Sequence, residues 1–443
     1  MKAALFCLLL ASLAFASGAV VAAGYVVQRG MTCDGYPRAP IETLPGVCAG
    51  LVYAPEAGAD RPSQRKLHMP RALMFLADGD LLITDLGAWT PGRGAVWRMT
   101  VRPGAAPGLT LLLGGLDLPH TIAAGPDGRV YVGEMGRIIR FDPSAADLRA
   151  SVEVVVSDLP ANNLHEDRHP LTSFIFDGDG DLLVNVGAAS DQCPPVEAQP
   201  DGAICPEAEG DRPRAAIWRF AYLGEGRWAA APTVFARGMR NSVALARHPS
   251  GTLLQAENGV DLDDPDAPYD AINGLRAGAD YGWPYCFEAA TPAPAWKDVG
   301  QRDCAGAWRT PPSLYLPPHG APLSMLYYES DRIPQLRGRL LVTLHGYRAT
   351  GSRIVAYAVD EEGLPLTDAH ARYAVYPNRP DAAAARRYRP GPAADGLILT
   401  PGWNAVAGLR PAGAPVGMAV APDGAVWVAE DRNGVLLRFA LDH

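Results

Sequence analysis

One pattern recurs along this chain at intervals: an apolar strand, an Asp-Gly-type turn, then a second and more apolar strand. It reads Leu73-Met74-Phe75-Leu76-Ala77-Asp78-Gly79-Asp80-Leu81-Leu82-Ile83 at its first occurrence. It returns around Asp127-Gly128 before Val130-Tyr131-Val132, Asp177-Gly178-Asp179-Gly180 before Leu182-Leu183-Val184, Ser250-Gly251 before Leu253-Leu254, and Asp423-Gly424 before Val426-Trp427-Val428. A sixth copy, Leu340-Leu341-Val342, lacks the Asp-Gly turn but falls midway in the long gap between Leu253 and Val426. Turns of this type supply the positive φ of tight hairpins, and the flanking strands are short, aliphatic and β-branched. Most copies carry a third strand, such as Gly94–Arg98, Gly136–Arg140, Ala216–Phe220, Arg353–Tyr357 or Gly434–Phe439. Six such units predict an all-β chain folded as a six-bladed β-propeller, in which radial repetition protects the sheet edges.

The 47 Gly and 41 Pro among 443 residues agree with so many turns, and 48% apolar content is enough for a full core. A net charge of −9 argues against nucleic acid or an anionic membrane surface as the main partner.

Residues 1–23 read as a signal peptide: Lys2, an apolar run from Ala3 to Ala16, and small residues at Ala14/Ala16 and Val21/Ala23 suited to cleavage. The expected mature chain, 24–443, is one propeller domain, periplasmic or secreted, with no later membrane span. Once Cys7 leaves with the signal, six cysteines remain in three close pairs, Cys33/Cys48, Cys193/Cys205 and Cys286/Cys304. In an oxidising compartment these suggest three local disulfides, among fifteen formal connectivities.

The propeller has a geometric consequence for function, because residues just before each innermost strand line the mouth of the central channel. Counting back from each turn gives His68 and Arg71, Asp117 and His120, His169, Arg240 and Asn241, and Val416. Downstream of Arg240-Asn241 come the strand Leu253–Asn258, the acidic turn Gly259-Val260-Asp261-Leu262-Asp263-Asp264, and Asp280-Tyr281-Gly282-Trp283-Pro284. That concentration of charged and aromatic residues exceeds what a stable core requires.

On these residues the chain resembles the soluble PQQ-dependent sugar dehydrogenases, a family that includes glucose, aldose-sugar and sorbosone dehydrogenases. The likeness runs from about residue 50 to the C-terminus, with further support from His169 and Val184-Asn185-Val186-Gly187. It implies His169 as the base for the sugar hydroxyl, since imidazole accepts a proton near working pH. It implies Arg240 as the fixed positive charge at the quinone oxygen and Asn241 as a cofactor hydrogen-bond partner beside it. The carbonyls of Gly259 and Val260 match the positions that hold calcium, an ion that tolerates backbone oxygens. Arg348, His345, His120 and Arg71 are the candidate partners for the carboxylates of PQQ. The expected substrate is a small sugar or sugar-derived aldehyde, with electrons leaving to an external acceptor.

Other readings stand beside these. His165 rivals His169, Arg240-Asn241 alone would pass for a solvated loop, Arg348 for a surface loop and His120 for core packing. The run Asp261, Asp263, Asp264, Asp266 and Asp270 fits a second calcium or a solvated acidic surface. The chain also departs from the family pattern. Arg168 stands where a carboxylate precedes the histidine, and residues 266–270 look inserted. Ala414 and Val416 replace a cationic pair, and a second-blade glutamine has no counterpart. A sugar- or protein-binding propeller without catalysis, or a calcium-dependent lactonase, is therefore the alternative class.

Overall fold

In a computed structural model, residues 20–22, 25–55, 66–102, 106–160, 163–198, 202–264, 267–288, 290–299, 302–346, 351–366, 396–403, 406 and 413–442 are described. Six four-stranded antiparallel sheets succeed one another along the chain, as the repeat predicts. Their inner strands are Pro70–Phe75, Ile122–Ala124, Phe174–Phe176, Ala244–Arg247, Pro322–Tyr328 and Pro415–Val420, which define blades 1 to 6. The second strands are Leu81–Asp85, Val130–Glu134, Leu182–Val186, Leu253–Glu257, Arg339–Leu344 and Val426–Glu430.

These second strands are apolar without alternation because both of their faces are covered by neighbouring blades. Leu81–Ile83, Leu182–Val184, Leu340–Val342 and Val426–Val428 are all fully buried. Burial of each such side chain is worth roughly 1.5–3 kcal/mol, so the second strands form the stable spine of each blade. The turns that feed them behave as their sequence requires: Gly79, Gly128, Gly180, Gly251 and Gly424 have φ between 77° and 99°. In several turns the Asp carboxylate accepts the backbone N–H two residues on, as Asp78 does for Asp80 and Asp423 for Ala425. Blade 5 lacks the Asp-Gly turn because a longer connection with a short 3-10 turn, Pro334–Leu336, joins its first two strands.

The ring closes in a way the repeat does not announce. The outer strand of blade 6 is Val47–Tyr53, from before blade 1, paired antiparallel with Val435–Leu441 through contacts such as Leu437 with Leu51 and Phe439 with Ala49. Arg38 grips Asp442 with two hydrogen bonds at 2.8 and 2.7 Å, and Cys33–Cys48 ties the same segment. All three local disulfides form as expected. Of the expected signal peptide only Val20–Ala22 is described, pairing with Tyr25–Val27; the rest of it lies outside the described residues. Among the described residues no helix is long and apolar enough to cross a membrane.

Candidate functional site

Strand starts and the loops that follow second strands gather at one face of the ring. There His169, from before blade 3, and Arg240 and Asn241, from before blade 4, line one cavity of about 430 Å³. The turn after the second strand of blade 4 supplies Gly259, Asp261 and Asp263, while His319 comes from the approach to blade 5 and Gly346 from the loop after its second strand. The residues singled out for catalysis are thus brought together from distant parts of the sequence.

His169 is buried, and its Nδ1 lies 2.6 Å from the carbonyl oxygen of Ala188. A carbonyl only accepts, so Nδ1 carries the proton and Nε2 keeps its lone pair. Burial first, then the guanidiniums of Arg240 and Arg168, push its pKa down to about 3. The imidazole is therefore neutral throughout the ordinary pH range, but it is a weaker base than the ordinary imidazole the sequence reading supposes, because burial and the two guanidiniums disfavour its cation. Gly187 lets the strand end pass beneath the ring: a Cβ there would stand 2.6 Å from the Cβ of His169 and 3.2 Å from Oδ1 of Asn241. His165 is exposed and outside the cavity lining. Asp167 pairs with Arg214 at 2.5 Å and Arg168 with Asp261 at 2.6 Å, so the Ala188 carbonyl, not the preceding residues, orients the base.

Arg240 is 3% exposed. Its backbone N–H donates to Glu257 at 2.7 Å and its Nη1 to the Asn258 carbonyl at 3.1 Å, while Nη2 meets Asp191 at 2.6 Å and Asp261 at 3.2 Å. Its Nε is buried without a partner. A buried guanidinium N–H left without an acceptor is costly unless something else accepts from it. Asn241 Oδ1 accepts from Asn185, whose own Oδ1 takes the Ser242 N–H.

Gly259 lines the cavity, and its N–H donates to Asp270 at 2.7 Å. Val260 turns its side chain inward onto a cluster around two disulfides, and its carbonyl accepts the Leu262 N–H at 3.2 Å. Asp270 is not part of a solvated acidic run. It sits in the strand Tyr269–Gly274 with both oxygens taken by backbone N–H groups of Gly259 and Ala321, and burial raises its pKa to about 6. Asp263 and Asp264 stay exposed, and Asp266 lies outside the described residues.

The candidate carboxylate binders converge, but on an internal acid. Arg71 donates from Nε to His120 Nδ1 at 3.2 Å and from Nη1 to Asp431 at 2.6 Å, and His345 Nε2 reaches the other oxygen of Asp431 at 2.9 Å. Burial would raise the Asp431 pKa, but His345 and Arg71 outweigh it and hold the carboxyl below its usual range. Burial, then Arg71, keeps His120 well below the ordinary histidine range. Arg71 and His120 also line the axial channel beneath, a cavity of about 580 Å³. Arg348 lies outside the described residues. Where Ala414 and Val416 replace the cationic pair, both are buried, and blade 6 instead delivers Asp431 and Arg432 to the mouth.

Asp191, Glu257 and Asp431 escaped the sequence reading. For two of them a signal existed: the second strands of blades 1, 2, 4 and 6 end on an acid that braces the mouth loops. Asp85 accepts from His68 and Met69, Glu134 from Asp117, Glu257 from Arg240 and Glu430 from Asn433, with Asp431 following directly.

Fold and cavity place this chain in the class of six-bladed propellers with a polar cavity at the mouth. Within that class it matches the glucose/sorbosone dehydrogenase family, whose model aligns with residues 133–350, a span that supplies every residue lining the cavity. The family resemblance read from the sequence therefore holds over residues 133–350. No curated protein matches the sequence. Among solved structures, the holo form of the pyranose dehydrogenase PQQ domain from Coprinopsis cinerea is similar over 93% of this chain and 100% of its own, with TM-score 0.65 and 19% identity. The calcium structure of a Trichoderma reesei carbohydrate-active enzyme of family AA12 covers 92% and 98% with TM-score 0.63 and 17% identity. The soluble aldose sugar dehydrogenase of Escherichia coli, in its apo form, covers 89% and 100% with TM-score 0.58 and 19% identity. At such identities the likeness establishes the fold.

Proposed function

We propose that this chain is an exported quinoprotein dehydrogenase that oxidises an aldose or a sugar-derived aldehyde, using PQQ and calcium and passing electrons to a separate acceptor. The observation that carries the reading is the meeting, in one polar cavity, of a neutral imidazole with Nε2 unprotonated and a guanidinium fixed by Asp191 and the Asn258 carbonyl. Structures of the same fold are described as a PQQ domain and as a calcium form, which supports both cofactors. Three disulfides favour an oxidising compartment.

The residues present fit the group. Arg240 and Asn241 line the cavity together and can face a quinone oxygen, and Gly259 in the same lining offers a carbonyl of the kind calcium takes, whereas the Val260 carbonyl already accepts the Leu262 N–H. PQQ, when bound, supplies the electrophilic carbon that accepts the substrate's hydride. His169 takes the hydroxyl proton at Nε2 while Nδ1–H stays on the Ala188 carbonyl, which fixes both tautomer and ring plane. Arg240, held by carboxylates and a carbonyl, presents a charge that needs no reorganisation as negative charge develops. Arg168 and Asp261, both half-exposed, form a polar wall for sugar hydroxyls.

A second reading has its own observation: Arg71 and His345 already have an acid, Asp431, which favours a binding propeller with no quinone. Reconstitution with PQQ and calcium, followed by dye reduction with aldoses and aldehydes, separates the two. The dehydrogenase gives sugar-dependent reduction that His169→Ala abolishes while still binding PQQ. Bound PQQ with no sugar-dependent reduction, or an undiminished variant, overturns the mechanism.

A further inference from the structure

Two insertions interrupt the regular strand spacing, one between the second and third strands of blade 3 (187–215) and one before the outer strand of blade 4 (275–313). Each contains a disulfide, Cys193–Cys205 or Cys286–Cys304. They are not separate surface loops. Trp296 Nε1 donates to the Cys193 carbonyl at 3.0 Å and Trp283 Nε1 to the Asp191 carbonyl at 3.1 Å, and both disulfides share one apolar cluster with Tyr285.

Three groups of the functional site hang from this cluster. Ala188, fully buried in it, offers the carbonyl that orients His169 and donates its own N–H to the Arg240 carbonyl at 2.8 Å. Val260 belongs to it through its side chain. Asp191 stands two residues before Cys193, with Oδ1 2.6 Å from Arg240 Nη2 and 3.0 Å from the Asp261 N–H that donates to it. The carboxylate of Glu207, two residues past Cys205, accepts the N–H groups of Ala189 and Ser190 and so ties the loop back to the site.

With Nη1 on Asn258 and Nη2 on Asp191, the Arg240 fork is fixed in plane with Nε left over. A charge-assisted pair at 2.6 Å with a carboxylate side chain only 19% exposed restricts that guanidinium far more than a solvated pair would. We propose that Asp191 is a positioning residue for Arg240, and that the Cys193–Cys205 loop, braced by the second disulfide insertion, serves to hold it there. The inference rests on the function proposed above, and it gives the blade 3 insertion a part in the reaction.

Asp191→Asn and a Cys193→Ser/Cys205→Ser double variant test it, each compared with wild type by steady-state kinetics, PQQ titration and amide hydrogen exchange of the cofactor-free protein. Loss of one hydrogen bond to a charged group should lower kcat roughly 10- to 100-fold. Substrate KM should stay within about threefold, because a transition-state contact is lost and not a uniform one. Exchange in cofactor-free Asp191→Asn should rise in segments 186–191 and 238–261 and remain unchanged in blades 1, 2 and 6. If the double variant does not fold, Asp191→Asn decides alone. Wild-type kcat and wild-type exchange in Asp191→Asn would overturn the proposal. If the wild type binds no PQQ, the functional reading fails while the exchange data still decide whether Asp191 orders Arg240.

Discussion

Replacing His169 by Asn should flatten the acid limb of this protein's stability. Asn keeps an N–H near the Nδ1 position for the Ala188 carbonyl but cannot take up a proton. In the wild type the imidazole titrates at about 3 when folded, against an ordinary value near 6.5 when unfolded. The folded state therefore binds fewer protons than the unfolded state between those values, so stability is lost as pH falls through that window. At pH 4.5 the folded group is still neutral and the unfolded one is protonated, two pH units below its pKa. At about 1.36 kcal/mol per unit the wild type loses roughly 2.7 kcal/mol relative to pH 7.5 through this residue alone. An unfolding entropy of about 2.1 cal/mol/K per residue over the chain converts this to a drop of roughly 3 °C in Tm. The assay is thermal unfolding of both proteins at pH 7.5 and 4.5, comparing the change in each. Identical acid sensitivity in the two proteins would show that His169 is not held neutral by burial and Arg240.

Gly187→Ala places a methyl 2.6 Å from the His169 Cβ, so dye reduction should fall at least about tenfold while circular dichroism stays unchanged. Glu430 lies wholly buried with its pKa raised to about 8 by burial and by Asp431, so it favours the fold below about pH 4.5 and opposes it as pH rises through 8. Glu430→Gln should therefore gain about 4 kcal/mol over wild type at pH 8 but little at pH 4.5, measured by denaturant unfolding at each pH. Chelation of the reconstituted protein should release PQQ, seen as loss of its bound absorption, and calcium should restore it better than magnesium, whose tighter octahedral geometry suits backbone carbonyls poorly.

Most of the ring was legible because each blade repeats a local rule, an Asp-Gly turn between two apolar strands, and local rules survive in sequence. The closing strand Val47–Tyr53 was not, since its partner Val435–Leu441 lies at the other end of the chain and nothing local marks the pairing. The same division holds at the site. His169, Arg240 and Gly259 stand at fixed offsets from inner or second strands, so counting along the repeat finds them. Asp191 and Asp431 reach their partners through three-dimensional convergence, one from a disulfide-tied insertion and the other from the end of a second strand toward the blades on either side. Asp270 was hidden among its neighbours: in a run of aspartates the sequence gives no sign that one of them lies inside a strand with both oxygens satisfied.

The most direct test of the central claim is a titration of the metal-stripped protein with PQQ in the presence of calcium, followed by visible absorption and repeated on Arg240→Ala. Saturable binding at micromolar PQQ, weakened at least about tenfold in the variant, is the expected result for a fixed guanidinium in the cavity lining that faces the quinone. No binding by the wild type, or equal binding by both proteins, would contradict it.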